Sequence, residues 1–206
     1  MNKNLTELVF ILDRSGSMSG LEDDTIGGYN GLLEKQKKLD GEARVTTVLF
    51  DDQYEMMHDH ADIKKVNPIT EREYFARGST ALLDAIGKTV TTVAKRHEFA
   101  PDSEVPSKTM VVIITDGHEN ASREYNLKDV KGIVERQKEK YGWEFLFLGA
   151  NIDAISTAAS FGISADRAAT YSATKKGTRN NFKVVDEVCC CVRASKPIDD
   201  SWKRNI

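Results

Sequence analysis

The sequence predicts an α/β fold: a three-layer, doubly wound and mostly parallel sheet with one antiparallel edge strand. Three observations carry the prediction. Short apolar runs of strand length recur along the chain, segments with helical spacing of apolar residues separate them, and one strand-like segment follows its predecessor too closely for a crossover.

The first run, Glu7 to Leu12, is apolar at every position after its glutamate, as expected of a strand buried on both faces. Thr25 to Leu39 then repeats Ile26, Tyr29, Leu32 and Leu33 at helical spacing, and Asp40-Gly41 ends it in a turn. Val45 to Phe50 is the second strand. Tyr54 to His60 follows after only Asp51-Asp52-Gln53, which predicts a short antiparallel hairpin partner at the sheet edge. A second helix spans Ala81 to Arg96 (Leu82, Leu83, Ile86, Val90, Val93), and Pro101 to Ser107 reads as a polar loop. Thr109 to Thr115 and Glu144 to Leu148 are further buried strands, with a helix over Leu127 to Lys140 between them. The remainder reads as a short helix at Ile155 to Phe161, a sixth strand at Ala168 to Ser172 and a closing helix at Asn181 to Val192.

No linker or repeat interrupts this order, and 206 residues suit one domain, 1–206. Its motif-bearing part covers about 5–148, with the last strand and C-terminal helices at about 149–206. A hydrophobic share of 40%, a charged share of 30% and a net charge of -3 describe an ordinary globular chain without the basic footprint of a nucleic-acid binder. No apolar run approaches the roughly 20 residues that cross a bilayer, so no membrane partner is expected. The N-terminal stretch lacks the cleavage site of a signal peptide. Cys189, Cys190 and Cys191 are consecutive, which suits neither a disulfide framework nor a metal knuckle. They read as small apolar helix residues in a reducing, cytoplasmic setting.

Three separated places put oxygen-bearing side chains at the ends of elements. They are Asp13-Arg14-Ser15-Gly16-Ser17 after the first strand, Gly78-Ser79-Thr80 before the second helix, and Thr115-Asp116-Gly117 after the strand at 109–115. In an open α/β sheet, ligands bind beyond the carboxyl ends of strands where the strand order reverses. If the first strand and the 109–115 strand flank that reversal, Asp13 and Asp116 become neighbours. Hydroxyl and carboxylate oxygens without sulfur or imidazole suit a hard cation, Mg²⁺ first, with Mn²⁺ or Ca²⁺ as alternatives, and disfavour zinc. The D-x-S-x-S spacing lets a loop turning around one cation offer alternate side chains to it.

Asp13, Ser15 and Ser17 together with Thr80 and Asp116 resemble the metal-ion-dependent adhesion site (MIDAS) of von Willebrand factor A (VWA) domains, a Rossmann-like family. The resemblance extends over roughly Leu5 to Leu148, through G-S-T opening a helix and V-V-I-I-T-D-G ending a strand. It implies an intact site in which Ser15, Ser17 and Thr80 coordinate the metal directly and Asp13 and Asp116 act largely through metal-bound water. It further implies an intracellular, non-enzymatic module. Such a module captures an exposed Asp or Glu of a protein partner, as an adaptor beside an ATPase or chelatase-type complex.

Two other functions compete. Aspartyl phosphatases also begin with an aspartate ending a first parallel strand beside Mg²⁺, but that chemistry wants a second carboxylate two residues on, where this chain has Ser15, and a lysine near the phosphate. A structural domain with a vestigial site is the third reading. The remaining polar residues have plain readings. Ser19 and Ser79 are expected to cap the helices that follow, and His118, Glu119 and Asn120 to be solvated loop residues. His58 and His60 are expected to share an exposed strand face, Gly27, Gly28 and Gly31 to allow close helix-to-sheet packing, and Glu34 to Lys38 to form a solvated helix face.

Overall fold

The computed structural model describes residues 1–206. Its strands are β1 (Asn2–Asp13), β2 (Glu42–Phe50), β3 (Tyr54–Asp62), β4 (Pro106–Thr115), β5 (Glu144–Gly149) and β6 (Ala168–Thr170). They form one six-stranded sheet in the order β3-β2-β1-β4-β5-β6, in which only β2 and β3 are antiparallel. The helices are α1 (Glu22–Gln36), α2 (Leu82–Phe99), α3 (Leu127–Tyr141), α4 (Ala154–Ser160) and α5 (Lys175–Arg193). This is the predicted three-layer class, with an antiparallel edge strand where the short connection required one.

Alternation along β1 builds both layers. Leu8, Phe10 and Leu12 pack with Tyr29 and Leu33 of α1 and Phe182 and Val185 of α5. Val9 and Ile11 face the other way, onto Ile86 and Val90 of α2 and Val134 of α3. With both faces covered, β1 has no polar side and reads as a continuous apolar run. The strand order reverses at β1: the chain moves to β2 on one side and later returns to β4 on the other. The carboxyl ends of β1 and β4 therefore flank the crevice in which doubly wound sheets bind ligands.

Several boundaries differ from the sequence expectation. β4 begins at Pro106, inside the expected loop; a proline is tolerated as the first strand residue because no N–H is needed there. α1 begins at Glu22, where Glu22, Asp23 and Asp24 suit the positive end of the helix dipole, and it ends at Gln36. α5 begins at Lys175, ahead of the expected Asn181, with the Thr174 hydroxyl accepting from Gly177 N at 3.1 Å. The edge strand β3 is nine residues long rather than short.

Three of the plain readings are corrected here. His58 and His60 do not share a face, because register shifts opposite Thr47 insert extra residues into β3 and leave His60 at φ 50°. His58 Nδ1 meets Thr47 Oγ1 at 3.0 Å, whereas His60 Nδ1 meets Glu7 Oε2 at 3.1 Å. Within Glu34–Lys38, Gln36 is buried, donating to Asp186 Oδ1 of α5 at 2.8 Å. Gly28 is needed against a helix, not the sheet: a Cβ there would lie 2.3 Å from the Phe182 ring, while Gly27 and Gly31 face open space.

Glu7 of β1 is fully buried and carries the largest polar cluster away from the strand ends. Oε1 accepts from Thr46 Oγ1 (2.8 Å) and Arg96 Nη1 (2.9 Å), and Oε2 faces His97 Nε2 (2.7 Å) and His60 Nδ1. Burial pushes this carboxyl up, but the hydrogen bonds from His60 and His97 outweigh it and hold it well below the usual carboxylate range. A depressed folded-state pKa stabilises the protein above the unfolded value of 4.5, and the stability is lost as pH falls below it. Glu7→Gln should cost about 3 kcal/mol near neutral pH, with the deficit shrinking toward pH 3. Urea unfolding of both proteins across that range measures it, and a pH-independent deficit would contradict the ionic reading.

Candidate metal centre

Asp13, the last residue of β1, is buried, and each of its side-chain oxygens has a partner. Oδ1 accepts from Ser15 N at 2.7 Å, closing the turn that swings the chain off the strand, and Oδ2 accepts from Thr115 Oγ1 at 2.5 Å. Its carbonyl accepts from the buried Tyr74 hydroxyl at 2.6 Å. Beyond it, Ser15 Oγ and Ser17 Oγ lie 3.1 Å apart, and Ser17 Oγ donates to Asp116 Oδ1 at 2.5 Å. Asp116 follows the end of β4, so the sheet reversal brings together residues about a hundred positions apart in sequence.

Thr80 enters from the segment before α2 and is 3% exposed. Gly117 lies between it and the serines: a Cβ on Gly117 would sit 3.0 Å from Thr80 Oγ1 and 3.3 Å from Ser17 Oγ. The structure therefore gathers all of Asp13, Ser15, Ser17, Thr80 and Asp116 at one place. Ser15 is buried there, whereas Ser17 and Gly16 are exposed and give the cluster its opening to solvent.

The donors fit a hard divalent cation. They are three hydroxyls and two carboxylates, without sulfur or imidazole, and nowhere in the chain do three or more His, Cys, Asp or Glu side chains form an alternative site. Asp116 Oδ2 is buried with no hydrogen-bond partner within the chain, a deficit that a counter-charge would relieve. Burial pushes the Asp13 carboxyl up to about 6, against the hydrogen bonds from Thr115 and Ser15, and the Asp116 charge adds to the rise. Burial also raises Asp116, against the hydrogen bond from Ser17. Both carboxylates are short of positive charge.

The surrounding loops are tied by residues the sequence reading did not assign. Arg14 is buried and points away from the hydroxyls. Its Nε donates to Asp51 Oδ2 (3.0 Å), and Nη1 reaches Glu73 O (2.9 Å) and Glu55 Oε2 (2.8 Å). Asp51 also takes Arg77 Nε at 2.7 Å, and its carbonyl accepts from Ala81 N at 2.9 Å, so one residue at the end of β2 joins the serine loop to the Thr80 segment. Burial raises the Asp51 carboxyl, but the hydrogen bonds from Arg77 and Gln53 N and the Arg14 charge outweigh it and hold the carboxyl low. Gly16 N donates to Gly78 O at 3.1 Å; Gly78 has φ 66°, and a Cβ there would lie 2.0 Å from Asp52 Oδ1.

Asn120 is exposed, as expected, and Glu119 half-buried, but both side chains also hold neighbouring segments in place. Asn120 Oδ1 accepts from Thr80 N (2.9 Å) while Asn120 N donates to Thr80 O (3.0 Å), clasping the threonine on both sides. Glu119 accepts from Leu83 N (2.8 Å), and Ser122 Oγ accepts from Asp84 N (3.0 Å), so the free amides of α2 are served by a loop from β4. Asp84 replies by accepting from Arg123, Glu124 and Tyr125 amides. Ser79 is thus not the cap of α2, and Ser19 does not cap α1, whose N-cap position is Leu21. His118 is exposed. Thr115 was legible within T-D-G and Asn120 within D-G-H-E-N, but their partners were not.

No family model matches this chain, and no curated protein matches it in sequence. Solved structures do. The PilB minor pilin from Streptococcus sanguinis aligns with a TM-score of 0.63 at 11% identity, over 92% of this chain and 62% of that one. Proximal thread matrix protein 1 from the mussel byssus, in a form described as having a zinc-occupied MIDAS motif, gives 0.61 at 15%, over 91% and 46%. The ArnB paralog VWA2 from Sulfolobus acidocaldarius gives 0.56 at 15%, over 90% and 45%. This chain thus spans between 45% and 62% of the length of those proteins. The likeness shows the fold, and it is the fold the resemblance implied.

Two outcomes follow from the geometry. Asn120→Ala and Gly117→Ala, which disturb Thr80 without removing a donor, should weaken Mg²⁺ or Mn²⁺ binding by about 10–100-fold with the fold retained, as read by titration calorimetry and circular dichroism. A carboxyl raised to about 6 destabilises the metal-free fold as pH rises through that value, so in chelator the protein should gain thermal stability from pH 7 toward pH 5. The increment contributed by added Mg²⁺ should shrink over the same interval, because proton and cation compete for Asp13.

Proposed function

We propose that this chain is a divalent-cation-dependent protein-binding module. Its metal would be held by Ser15, Ser17 and Thr80, with Asp13 and Asp116 behind them, and its partner would present an exposed Asp or Glu. The observation that carries the reading is the partnerless, buried Asp116 Oδ2 beside a row of hydroxyls that opens to solvent at Ser17. A bound divalent cation supplies the positive charge that lets a partner carboxylate dock where two protein carboxylates alone would repel it.

The chain's own residues prepare that event. Thr115 and Ser15 N hold the Asp13 carboxylate in one orientation, and Asn120 fixes the Thr80 backbone, so the hydroxyl row is arranged before a ligand arrives. Phe75, 41% exposed and flanked by the guanidinium groups of Arg14 (5.7 Å) and Arg77 (5.0 Å), offers firm apolar ground beside the loop. Mg²⁺ is the proposed cation, and the proposed role is that of a non-enzymatic cytoplasmic adaptor in a larger assembly such as an ATPase or chelatase-type complex. The three free cysteines suit a reducing compartment. No helix is long and apolar enough to cross a membrane.

Against phosphoryl transfer, both Asp13 oxygens already accept hydrogen bonds, and the position two residues on is a hydroxyl rather than a carboxyl. Affinity capture from a native lysate should retain a partner in Mg²⁺, release it in EDTA, and fail with Thr80→Ala. Capture indifferent to EDTA and to the substitution would refute the docking reading. Turnover of phosphate esters abolished by Asp13→Asn would replace it with an enzyme.

A further inference from the structure

At the opposite end of the sheet a groove of about 620 Å³ is lined by the C-terminal turns of α2 and α3 and the start of β4. Ala94, Ala100, Val105, Pro106, Ile133 and Trp143 supply its apolar lining. Tyr141, 50% exposed, stands on its edge, and Phe99, 83% exposed, lies in sequence between the lining residues Glu98 and Ala100. Large aromatic side chains left in water beside an apolar groove mark a contact surface rather than ordinary exposure.

The charges around it have one sign in excess. Lys95, Arg136 and Lys140 line the groove, and none of them enters an ion pair. Lys140 lies 5.3 Å from the Tyr141 ring centre, and hydrogen bonding from Lys140 and Arg136 draws the Tyr141 hydroxyl below its usual range, so both cations gather at that edge. The acids nearby are Glu98 and Asp102, and Asp102 faces the Met1 amine at 3.9 Å. On a chain of net charge -3, three unpaired cations around one apolar groove are a local inversion of the field.

We propose that this groove is a second docking surface, for a partner segment that carries an apolar or aromatic anchor flanked by Asp or Glu. The anchor enters between α2 and α3 toward Trp143, and its acidic neighbours meet Lys95, Arg136 and Lys140. Its distance from the metal centre follows from the 18 residues of α2, which span about 27 Å, so both surfaces can be occupied at once. A molecule with two such poles joins two partners, and only one of the contacts depends on a cation.

The test uses the full chain in EDTA, which silences the metal centre, and a phage-displayed library of random peptides as the probe. The expected result is enrichment of peptides with a large apolar residue flanked by Asp or Glu, bound in EDTA and Mg²⁺ alike and weakened by salt. Arg136→Glu/Lys140→Glu should reduce their affinity by about tenfold or more while circular dichroism and the response to Mg²⁺ stay unchanged. Enrichment without an acidic and apolar consensus, or equal binding to the double variant, would overturn the proposal. Concentration-dependent dimerisation lost in the same variant would overturn it too, because a second copy of this chain would then be the occupant. In the unsubstituted chain, absence of any response to Mg²⁺ together with the expected peptide binding would count against the metal centre and leave the groove proposal upheld.

Discussion

The hydrogen bond from Thr115 Oγ1 to Asp13 Oδ2 spans the reversal of strand order between β1 and β4, and the site is arranged around it. β1 and β4 are parallel and in register up to Leu12 and Ile114, so the next pair along must meet side by side. One of that pair is a carboxylate and the other a hydroxyl. The donor keeps the buried carboxylate from facing apolar surroundings alone, and it leaves Asp116, one residue further, directed at the loop that carries Ser17.

Around this contact the loops are held by reciprocal polar bonds as well as by the buried Met18, Leu21 and Tyr74. Asp51 ties the serine loop to the Thr80 segment through Arg14, Arg77 and Ala81 N. The loop after β4 is tied to α2 through Asn120, Glu119, Ser122 and Asp84. Charge-assisted bonds to backbone amides add rigidity in little space. The cost is two carboxylates, Asp13 and Asp116, driven upward by burial, an electrostatic deficit that a bound cation would relieve.

The two ends of the sheet are built on different principles. At the carboxyl ends of the strands, hydroxyls and carboxylates converge on one place, with the exposed Phe75 beside the serine loop. At the amino ends, the C-terminal turns of α2 and α3 line a groove floored by the buried Trp143 and the half-buried Ile133, with an aromatic edge rimmed by cations. Helix C-termini favour positive side chains, so the basic rim lies where the backbone tolerates it best.

The sequence by itself determined the layer order, the strands buried on both faces and the antiparallel edge, because periodicity and connection length are local properties of the chain. The five residues that the structure gathers at one place were equally legible, since D-x-S-x-S, G-S-T and T-D-G each stand where an element begins or ends. Only the tertiary structure decided what supports them. That Asn120 and Glu119 clasp Thr80 and α2, that Arg14 turns inward to Asp51, and that His58 and His60 separate to different faces all depend on partners tens of residues away. No local pattern encodes such partners: a buried polar side chain is placed by whichever unsatisfied group the fold brings opposite it, and that choice exists only once the sheet has closed.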